Sequence, residues 1–301
     1  MILVIVNNLS GNKKSLEFYN KKIKPYLDLN KYSYETIDSN NNYFITPHVC
    51  TALEKYSIYI IIGGDGTLNY YINNKQLYNT NQNILCVPMG TGNGLAKNLG
   101  INTKNIFSVF EDKNIKRINL QEIQYESSNL INSPKYSFLY ITWGLISDID
   151  IDTEFLRCIG DLRFYYGIIK FLILGNVYYG KLTYIDDNNE YNEVEGEFSL
   201  FCSGSLKWIS NDFNMIPCAD ENFINIIYIN NNISFFQRCK LLYQLLNETH
   251  ILNCEFIKYK RVKSYTLEKY DNISKFVYDG ELLNTKKISV ANNHYVNFYK
   301  N

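Results

Sequence analysis

The sequence predicts an α/β domain followed by a β-rich domain, and two features of the residue pattern carry this prediction. In the first hundred residues, short apolar runs alternate with longer helix-like segments, which is the rhythm of a parallel sheet. After about residue 117, strand-like runs dominate instead. A chain of 301 residues with 46% hydrophobic residues is long enough to bury a core in each part. We therefore predict domains at 1–117 and 118–301.

The predicted elements of the first domain alternate between strand and helix. The strands are Ile2–Val6, Tyr32–Ile37, Ile58–Ile62 and Ile84–Val87, and the helices are Ser15–Leu29 and Pro47–Tyr56. In open α/β sheets, ligands bind beyond the carboxyl ends of the strands. Three strands end there in polar or glycine-rich turns, which are Asn7–Lys13, Gly63–Thr67 and Gly90–Gly94. We expect these three turns to meet at one edge of the sheet.

The second domain is predicted to consist mainly of strands. They include Arg117–Tyr125, Tyr136–Trp143, Lys181–Ile185 and Glu193–Phe201, with helical segments near 152–175 and 234–247. No long flexible linker separates the two domains, so we expect them to pack closely and to form a cleft.

Composition excludes several classes of protein. Lys+Arg and Asp+Glu are both 30, so no strong positive field is available to gather nucleic acid. Seven cysteines without a CxxC pair indicate free thiols in a reducing compartment and no structural zinc. The most apolar stretch, Ile168 to Val177, is much shorter than the roughly 20 residues that span a bilayer. We predict a cytosolic protein.

Two glycine-rich turns carry the clearest chemical signal. Gly63-Gly64-Asp65-Gly66-Thr67 follows an apolar strand, and Gly90-Thr91-Gly92-Asn93 follows the next one. Glycines let the backbone approach a ligand closely and offer N–H groups to phosphate, and the N-terminus of a following helix favours an anion. The plain alternative for either turn alone is a tight structural turn. Asn7, Ser10 and Gly11 form a third, weaker candidate after the first strand.

The GGDGT and GTGN elements, in this order and spacing, resemble the diacylglycerol-kinase-like superfamily of lipid kinases. The turn at Asn7 resembles that family's opening Asn-Pro-x-Ser-Gly turn, with Asn8 in place of proline. Asp279-Gly280-Glu281 resembles its Asp-Gly-Glu element, which reaches back to the nucleotide. The resemblance implies the two-domain fold of NAD kinases and diacylglycerol kinases, with the active site in the interdomain cleft. It also implies ATP as phosphoryl donor, accompanied by Mg²⁺.

The middle of the chain indicates which branch of this superfamily the sequence resembles. The stretch from Trp143 to Asp150, followed by Glu154, Arg157, Gly160, Arg163 and Phe164, is similar to the lipid-recognising stretch of sphingosine kinases. This similarity implies that Asp150 holds the amino-alcohol head of a sphingoid base and that the two arginines clamp nucleotide phosphates. A carboxylate does pair with an ammonium, and guanidinium groups suit phosphoryl oxygens.

The resemblance implies a full set of site residues. Asp65 would be the catalytic base that accepts the proton of the lipid's primary hydroxyl. The implied ATP-binding residues are Asn7, Ser10, Gly11, Gly63, Gly64, Gly66, Thr67, Gly90, Thr91, Gly92, Asn93, Arg157, Arg163, Asp279, Gly280 and Glu281. The implied lipid-binding residues are Asp150, Asp148, Leu145 and Ile146, with the tail in an apolar pocket. No metal ligands are indicated. The implied partners are a sphingoid base and, transiently, a membrane surface; the oligomeric state is not indicated.

Two positions depart from the family pattern. Tyr70 stands where the family has a glutamate that contacts the nucleotide, and Gly94 replaces the acid of diacylglycerol kinases. Ceramide and a mono- or diacylglycerol stay open as alternative lipid substrates. Asp150 discriminates between these and a sphingoid base, because a carboxylate pairs with a free amine. An NAD kinase fits fewer elements. A catalytically impaired lipid-binding module is the alternative suggested by Tyr70. The three histidines are predicted to be structural or exposed, and not catalytic.

Overall fold

The computed structural model describes residues 1–11, 13–38, 55–75, 78–127, 130–131, 133–152, 167, 169–170 and 172–301. This part of the chain divides into two compact units. Unit 1 comprises Met1–Ile118 together with His294–Asn301, and unit 2 comprises Asn119–Asn293. The sequence-based boundary lies beside the first of these limits. The last eight residues, which were predicted to belong to the second domain, lie instead in unit 1.

Unit 1 is built on a parallel sheet. Its strands are β1 (Ile2–Val6), β2 (Tyr34–Asp38), β3 (Ile58–Gly63) and β4 (Asn83–Pro88), in the spatial order β2-β1-β3-β4. Every residue of β1 is buried, as are all but the first of β3, as expected for strands covered on both faces. Two late residues, Asn297 and Phe298, pair in parallel with the start of β4.

The helices of unit 1 follow its strands. They are α1 (Lys14–Phe18), which continues through a π-helical turn (Tyr19–Ile23) into α2 (Lys24–Leu29), then α3 (Asp65–Lys75), α4 (Gly94–Leu99) and α5 (Ile106–Asp112). The predicted helix at 47–56 falls almost wholly outside the described residues. Because β2 and β3 flank β1 on opposite sides, the strand order reverses between β1 and β3, and the crevice at such a point is where open α/β sheets bind ligands.

Unit 2 is an antiparallel β structure with a few helices. Its strands, of which β5 begins and β16 ends within unit 1, are β5 (Ile115–Ser127), β6 (Leu130–Ile131), β7 (Lys135–Ser137), β8 (Ile141–Gly144), β9 (Tyr178–Asp186), β10 (Tyr191–Phe198), β11 (Leu200–Gly204), β12 (Ile224–Ile229), β13 (Lys258–Lys269), β14 (Phe276–Tyr278), β15 (Glu281–Leu283) and β16 (Lys287–Tyr299). Its helices are α6 (Leu145–Asp152), α7 (Phe235–Leu246) and α8 (His250–Asn253). The core is rich in aromatic side chains, among them Trp143, Phe198, Phe201 and Phe276.

Two predicted strands of unit 2 are wrong, because each is interrupted. The run Tyr136–Trp143 forms β7 and β8, separated by a turn at 138–140 whose N–H groups bond the side chain of Asp279 instead of a neighbouring strand. The run Glu193–Phe201 is broken at Ser199, whose N–H and hydroxyl bond the carbonyls of Ile229 and Asn231. Hydrogen bonds to residues distant in the sequence therefore accompany both interruptions, to a side chain in the first and to backbone carbonyls in the second.

The helical segment predicted near 152–175 lies partly outside the described residues; of its described part, residues 167, 169–170 and 172–174 are helical. Helix α6 starts at Leu145, directly after Gly144, which has φ of +85°. Residues 153–166 lie outside the described residues. Within the described part of the chain, no helix has the length and apolar character needed to cross a bilayer.

Candidate functional site

The turns that follow β1, β3 and β4 lie against one another at one edge of the unit 1 sheet. A Cβ atom on Gly90 would lie 2.4 Å from the Cα of Gly64, and one on Gly64 would lie 2.8 Å from the Cα of Gly90. A Cβ on Gly11 would lie 2.6 Å from the carbonyl oxygen of Met89. These backbone approaches leave no room for a side chain. The prediction that the three turns meet is confirmed.

Asn7 bridges the crevice between β1 and β3. Its side chain is buried, and Nδ2 donates to Thr67 Oγ1 at 2.7 Å while Oδ1 accepts from the N–H of Leu9 at 3.0 Å. Its own N–H donates to the carbonyl of Ile62 at 3.0 Å. The first residue after β1 is therefore fixed to β3 and to α3. Ser10 and Gly11 continue the same turn, with Gly11 at φ of +61°.

The carboxylate of Asp65 is bound by the second glycine turn. The N–H of Gly94 donates to Oδ2 at 2.7 Å, and the N–H of Leu95 approaches Oδ1 at 3.4 Å. Asp65 thus satisfies N–H groups at the start of α4, which would otherwise lack intrahelical acceptors. The carboxylate also lies near the buried thiol of Cys86. Burial raises the pKa of this thiol to about 12, and the negative charge of Asp65 contributes to the rise. The predicted base is held in one place by the predicted phosphate-binding turn.

The turn at 90–93 is closed by its own asparagine. The N–H of Gly90 donates to Asn93 Oδ1 at 3.0 Å, and Asn93 Nδ2 donates to the carbonyl of Gly90 at 2.7 Å. Asn93 is buried, whereas Thr91 and Gly92 are exposed, as is Gly66 of the first turn. The two turns therefore offer exposed backbone at their tips and rigid support beneath it, which is what close approach to a phosphate requires.

Tyr70, at the position of the family glutamate, is half-buried in the structure. Its ring contacts that of Tyr71 edge-on, with centroids 5.4 Å apart. An aromatic pair therefore lies where the resemblance implies a carboxylate.

Two of the acids of α6, Asp148 and Asp150, each receive a hydrogen bond from a tyrosine. The phenol of Tyr140 donates to Asp150 Oδ2 at 3.1 Å, and the phenol of Tyr178 donates to Asp148 Oδ2, which Asn176 Nδ2 also approaches at 3.1 Å. Both carboxylates are half-buried. Sequence reasoning singled out the acids and missed both tyrosines, since no local motif marks them.

Leu145 and Ile146, the predicted tail contacts, are buried at 7% and 9% exposure. Leu145 lines a cavity of only about 20 Å³ together with Asp148, Ile149, Gly167, Leu174 and Tyr178. That space is close to what one water molecule needs and far below the hundreds of Å³ of a typical ligand pocket.

Asp279 and Gly280 form the two-residue turn of the β14–β15 hairpin, with φ of +48° and +83°. The Asp279 carboxylate is buried and accepts hydrogen bonds from the hydroxyl of Ser137 and from the N–H groups of residues 138, 139 and 140. Burial raises the pKa of this carboxyl, while these four donors act against the rise. The side chain holds unit 2 together locally. Its implied role as an ATP contact stays a prediction, and Glu281 beside it is exposed.

Arg157 and Arg163, the implied phosphate clamps, lie outside the described residues. Among the described residues no cluster of three or more His, Cys, Asp or Glu side chains could hold a metal ion. Mg²⁺ that arrives with ATP needs only one or two carboxylates, because phosphate oxygens and water supply its other ligands. The half-buried carboxylate of Asp65, beside the exposed tips of two glycine turns, fits that limited demand.

Comparison with known proteins assigns the family. Residues 1–123 match the Diacylglycerol kinase catalytic domain. Sphingosine kinase 1 of Rattus norvegicus is 21% identical over 94% of this chain and 86% of its own length, and Sphingosine kinase 1 of Caenorhabditis elegans is 26% identical over 96% and 79%. These matches support a lipid kinase related to the diacylglycerol kinases and the sphingosine kinases.

Solved structures of two kinds of kinase have the same fold. A diacylglycerol kinase of Bacillus anthracis matches with a TM-score of 0.75 at 16% identity, covering 100% of this chain and 96% of that one. An NAD kinase of Archaeoglobus fulgidus in complex with ATP matches with a TM-score of 0.55 at 13% identity, over 100% and 94%. The predicted fold class, an α/β part and a β-rich part as in these kinases, is confirmed.

Proposed function

We propose that this lipid kinase transfers the γ-phosphate of ATP to the primary hydroxyl of a sphingoid base, converting sphingosine to sphingosine 1-phosphate. The observation that carries the proposal is the half-buried carboxylate of Asp150 on α6, oriented by a phenol and preceded by the Trp143-Gly144 element. A partly desolvated, oriented carboxylate binds an ammonium group more strongly than it binds a neutral amide. Similarity to sphingosine kinases over most of the chain supports the same choice.

In this mechanism Asp65 receives the proton of the lipid hydroxyl. The hydroxyl oxygen forms a bond to the γ-phosphorus, the bond from that phosphorus to the β–γ bridging oxygen breaks, and ADP leaves. Positioning matters because a base contributes only when it lies within hydrogen-bond reach of the proton. The hydrogen bonds from Gly94 and Leu95 fix the carboxylate relative to the glycine turn that would bind phosphate.

The nucleotide end of the site is assigned to the three turns of unit 1. Their exposed backbone at Gly66, Thr91 and Gly92 would approach the phosphates, with Asn7 and Asn93 as buried supports. Arg157 and Arg163 would neutralise charge on the transferred phosphoryl group. Mg²⁺ bound with ATP would supply further charge compensation. In unit 1, the carboxylate of Asp65 could serve as its protein ligand.

A membrane surface is the proposed source of the substrate. Exposed apolar side chains lie on two segments of unit 2 that touch where the guanidinium of Arg238 packs on Gly175. We name this set the apolar patch; it consists of Ile169, Ile173, Leu174, Phe235 and Phe236. Lys170, Arg238 and Lys240 lie on the same two segments. Apolar side chains bordered by cations suit the interface of an anionic bilayer.

The alternative substrates, ceramide and diacylglycerol, carry no ammonium that could pair with the carboxylate of Asp150. A catalytically impaired module would bind lipid without turnover. It is favoured only by Tyr70.

The experiment that tests the proposed chemistry is phosphate transfer to sphingosine by Asp65→Asn. Asparagine keeps an oxygen that can accept from the N–H of Gly94, so the turn should fold, but it cannot take a proton. Turnover should fall by about 10²–10⁴-fold, the usual worth of a general base. The matched control is Asp28→Asn, which changes an exposed acid of unit 1 outside the glycine turns. Unchanged turnover in Asp65→Asn would remove Asp65 from the mechanism.

A further inference from the structure

A series of hydrogen bonds in unit 2 connects the β14–β15 hairpin with the proposed head-group acid. Asp279 accepts from the N–H groups of Phe138, Leu139 and Tyr140 at 2.9, 3.0 and 3.0 Å. The phenol of Tyr140 in turn donates to Asp150 Oδ2 at 3.1 Å. These groups lie on three separate elements: the hairpin, the turn before β8, and helix α6.

Tyr140 is held on both sides of its backbone by one residue. Its N–H donates to the Asp279 carboxylate, and its carbonyl accepts from the N–H of Asp279 at 3.0 Å. The adjoining strands β8 and β14 are paired, with Ile141 opposite Tyr278. The side chain of Tyr140 is only 8% exposed. The position of its phenol oxygen is therefore set by the hairpin and cannot adjust freely to a ligand.

We propose that Tyr140 is a positioning residue that orients the Asp150 carboxylate for the ammonium of the lipid head, and that Asp279 acts through Tyr140. The inference rests on the proposed function, since it requires a cationic head group. A phenol donor favours the ionised carboxylate and restricts its rotation. It therefore prepares the charge and direction that an ammonium needs before the lipid arrives.

This assignment gives the Asp-Gly-Glu element a role at the lipid end of the reaction. The resemblance alone implied that Asp279 contacts ATP, whereas its carboxylate is engaged by the turn that carries Tyr140. The two roles make opposite predictions for a variant of Asp279. A nucleotide contact changes the KM for ATP, and a positioning residue for Asp150 changes the KM for the lipid.

The first test is Tyr140→Phe, which removes the phenol oxygen and keeps the ring. We expect the KM for sphingosine to rise about tenfold, as for loss of one hydrogen bond to a charged group, while kcat stays within about twofold and the KM for ATP is unchanged. The matched control is Tyr259→Phe, which removes a phenol bonded to Asn225 Oδ1 at 2.8 Å elsewhere in unit 2.

Two further readouts distinguish positioning from a structural role. Because the phenol stabilises the ionised carboxylate, its removal should move the acid limb of kcat/KM for sphingosine to higher pH. In addition, Tyr140→Phe should have almost no effect on the lipid KM when Asp150 is already asparagine, since the two changes act on one interaction. If Tyr140→Phe only destabilised the protein, the acid limb of kcat/KM would not move, and its effect on the lipid KM would be the same with and without Asp150→Asn.

Asp279→Asn tests the second step. An amide cannot accept at all four positions, so the 138–140 turn should loosen, and the KM for sphingosine should rise with that for ATP unchanged. Should this variant fail to fold, Ser137→Ala removes one donor, at 2.7 Å, and should give a smaller change of the same kind.

The outcomes separate the inference from the proposed function. If the intact chain turns over sphingosine but Tyr140→Phe leaves its lipid KM and its acid limb unchanged, or has full effect in the Asp150→Asn background, the inference fails alone. A rise in the KM for ATP in Asp279→Asn, with the lipid KM unchanged, overturns the role of Asp279. If the intact chain does not phosphorylate sphingosine at all, the proposed function fails and the inference fails with it.

Discussion

The side-chain amide of Asn7 donates a hydrogen bond of 2.7 Å to the hydroxyl of Thr67, across the point where the strand order of unit 1 reverses. Both residues are buried, and each belongs to a different turn of the candidate phosphate site. Because the bond joins the end of β1 to the start of α3, it fixes the distance between two turns that would otherwise be held only by their strands.

Removal of the hydrogen bond between Asn7 and Thr67 should destabilise the fold. Asn7→Ala and Thr67→Ala should each lower the free energy of unfolding by about 1–3 kcal/mol, because each leaves a buried partner unsatisfied. The double variant should cost less than the sum by about 1 kcal/mol. Urea unfolding of the four proteins measures the difference. Strict additivity would mean that the two side chains do not interact in solution.

The glycines of the two turns should differ in their tolerance of a methyl group. Gly90→Ala would place a Cβ 2.4 Å from the Cα of Gly64, and we expect a loss of at least about 2 kcal/mol of stability. Gly66, in the other turn, is the control, since a Cβ there would meet nothing within 4 Å. In the first turn of α3, alanine should stabilise by up to about 1 kcal/mol. Equal effects of the two changes on the melting temperature would contradict the close backbone contact.

His250 should make stability depend on pH. It is fully buried, Nε2 lies 2.8 Å from the carbonyl of Met215, and burial lowers the pKa of the imidazole despite the nearby Glu248. The unfolded chain, with a pKa near 6.5, binds this proton more readily, so stability is full above about pH 6.5 and is lost as pH falls below it.

The loss should approach about 1.4 kcal/mol per pH unit for one proton. Urea unfolding at pH 7.5 and 5.5 should show a smaller difference for His250→Gln than for the natural chain. His294→Gln serves as the control, since that ring is only partly buried and lies in unit 1. An unchanged difference in His250→Gln would mean that the buried imidazole does not govern this pH range.

The apolar patch should bind anionic bilayers. Phe236 is 82% exposed, and Phe236→Ser should weaken co-sedimentation with vesicles of phosphatidylcholine and phosphatidylserine by about tenfold, from the lost burial of one aromatic side chain. Leu29→Ser is the matched control, because Leu29 has the same exposure but lies in unit 1. Equal vesicle binding by both variants would exclude the patch as the docking surface.

The local features of the site were accessible from the sequence. Glycine turns can be identified because the requirement for glycine is set by neighbouring backbone, as at Gly64 and Gly90, and because strand ends on one sheet edge must lie close together. Buried strands such as β1 and β3 appear as uninterrupted apolar runs, which is why their limits were predicted to within a residue or two.

The remaining features depend on contacts that no local pattern encodes. Asp279 ends the predicted strand at 136–143 by bonding residues about 140 positions earlier in the chain. Tyr140 is an ordinary strand tyrosine in the sequence, and only the fold brings its phenol to Asp150. The capping of α4 by Asp65 likewise joins two turns 29 residues apart. Tertiary hydrogen bonds, rather than propensity, decide these places.

The substrate is tested by phosphate transfer from ATP to sphingosine, with ceramide and diacylglycerol assayed in parallel, for the intact chain and for Asp150→Ala. We expect sphingosine to be the preferred acceptor, and we expect Asp150→Ala to weaken its use without creating activity toward the other two lipids. Phosphorylation of ceramide or diacylglycerol in preference to sphingosine, unaffected by Asp150→Ala, would contradict this expectation.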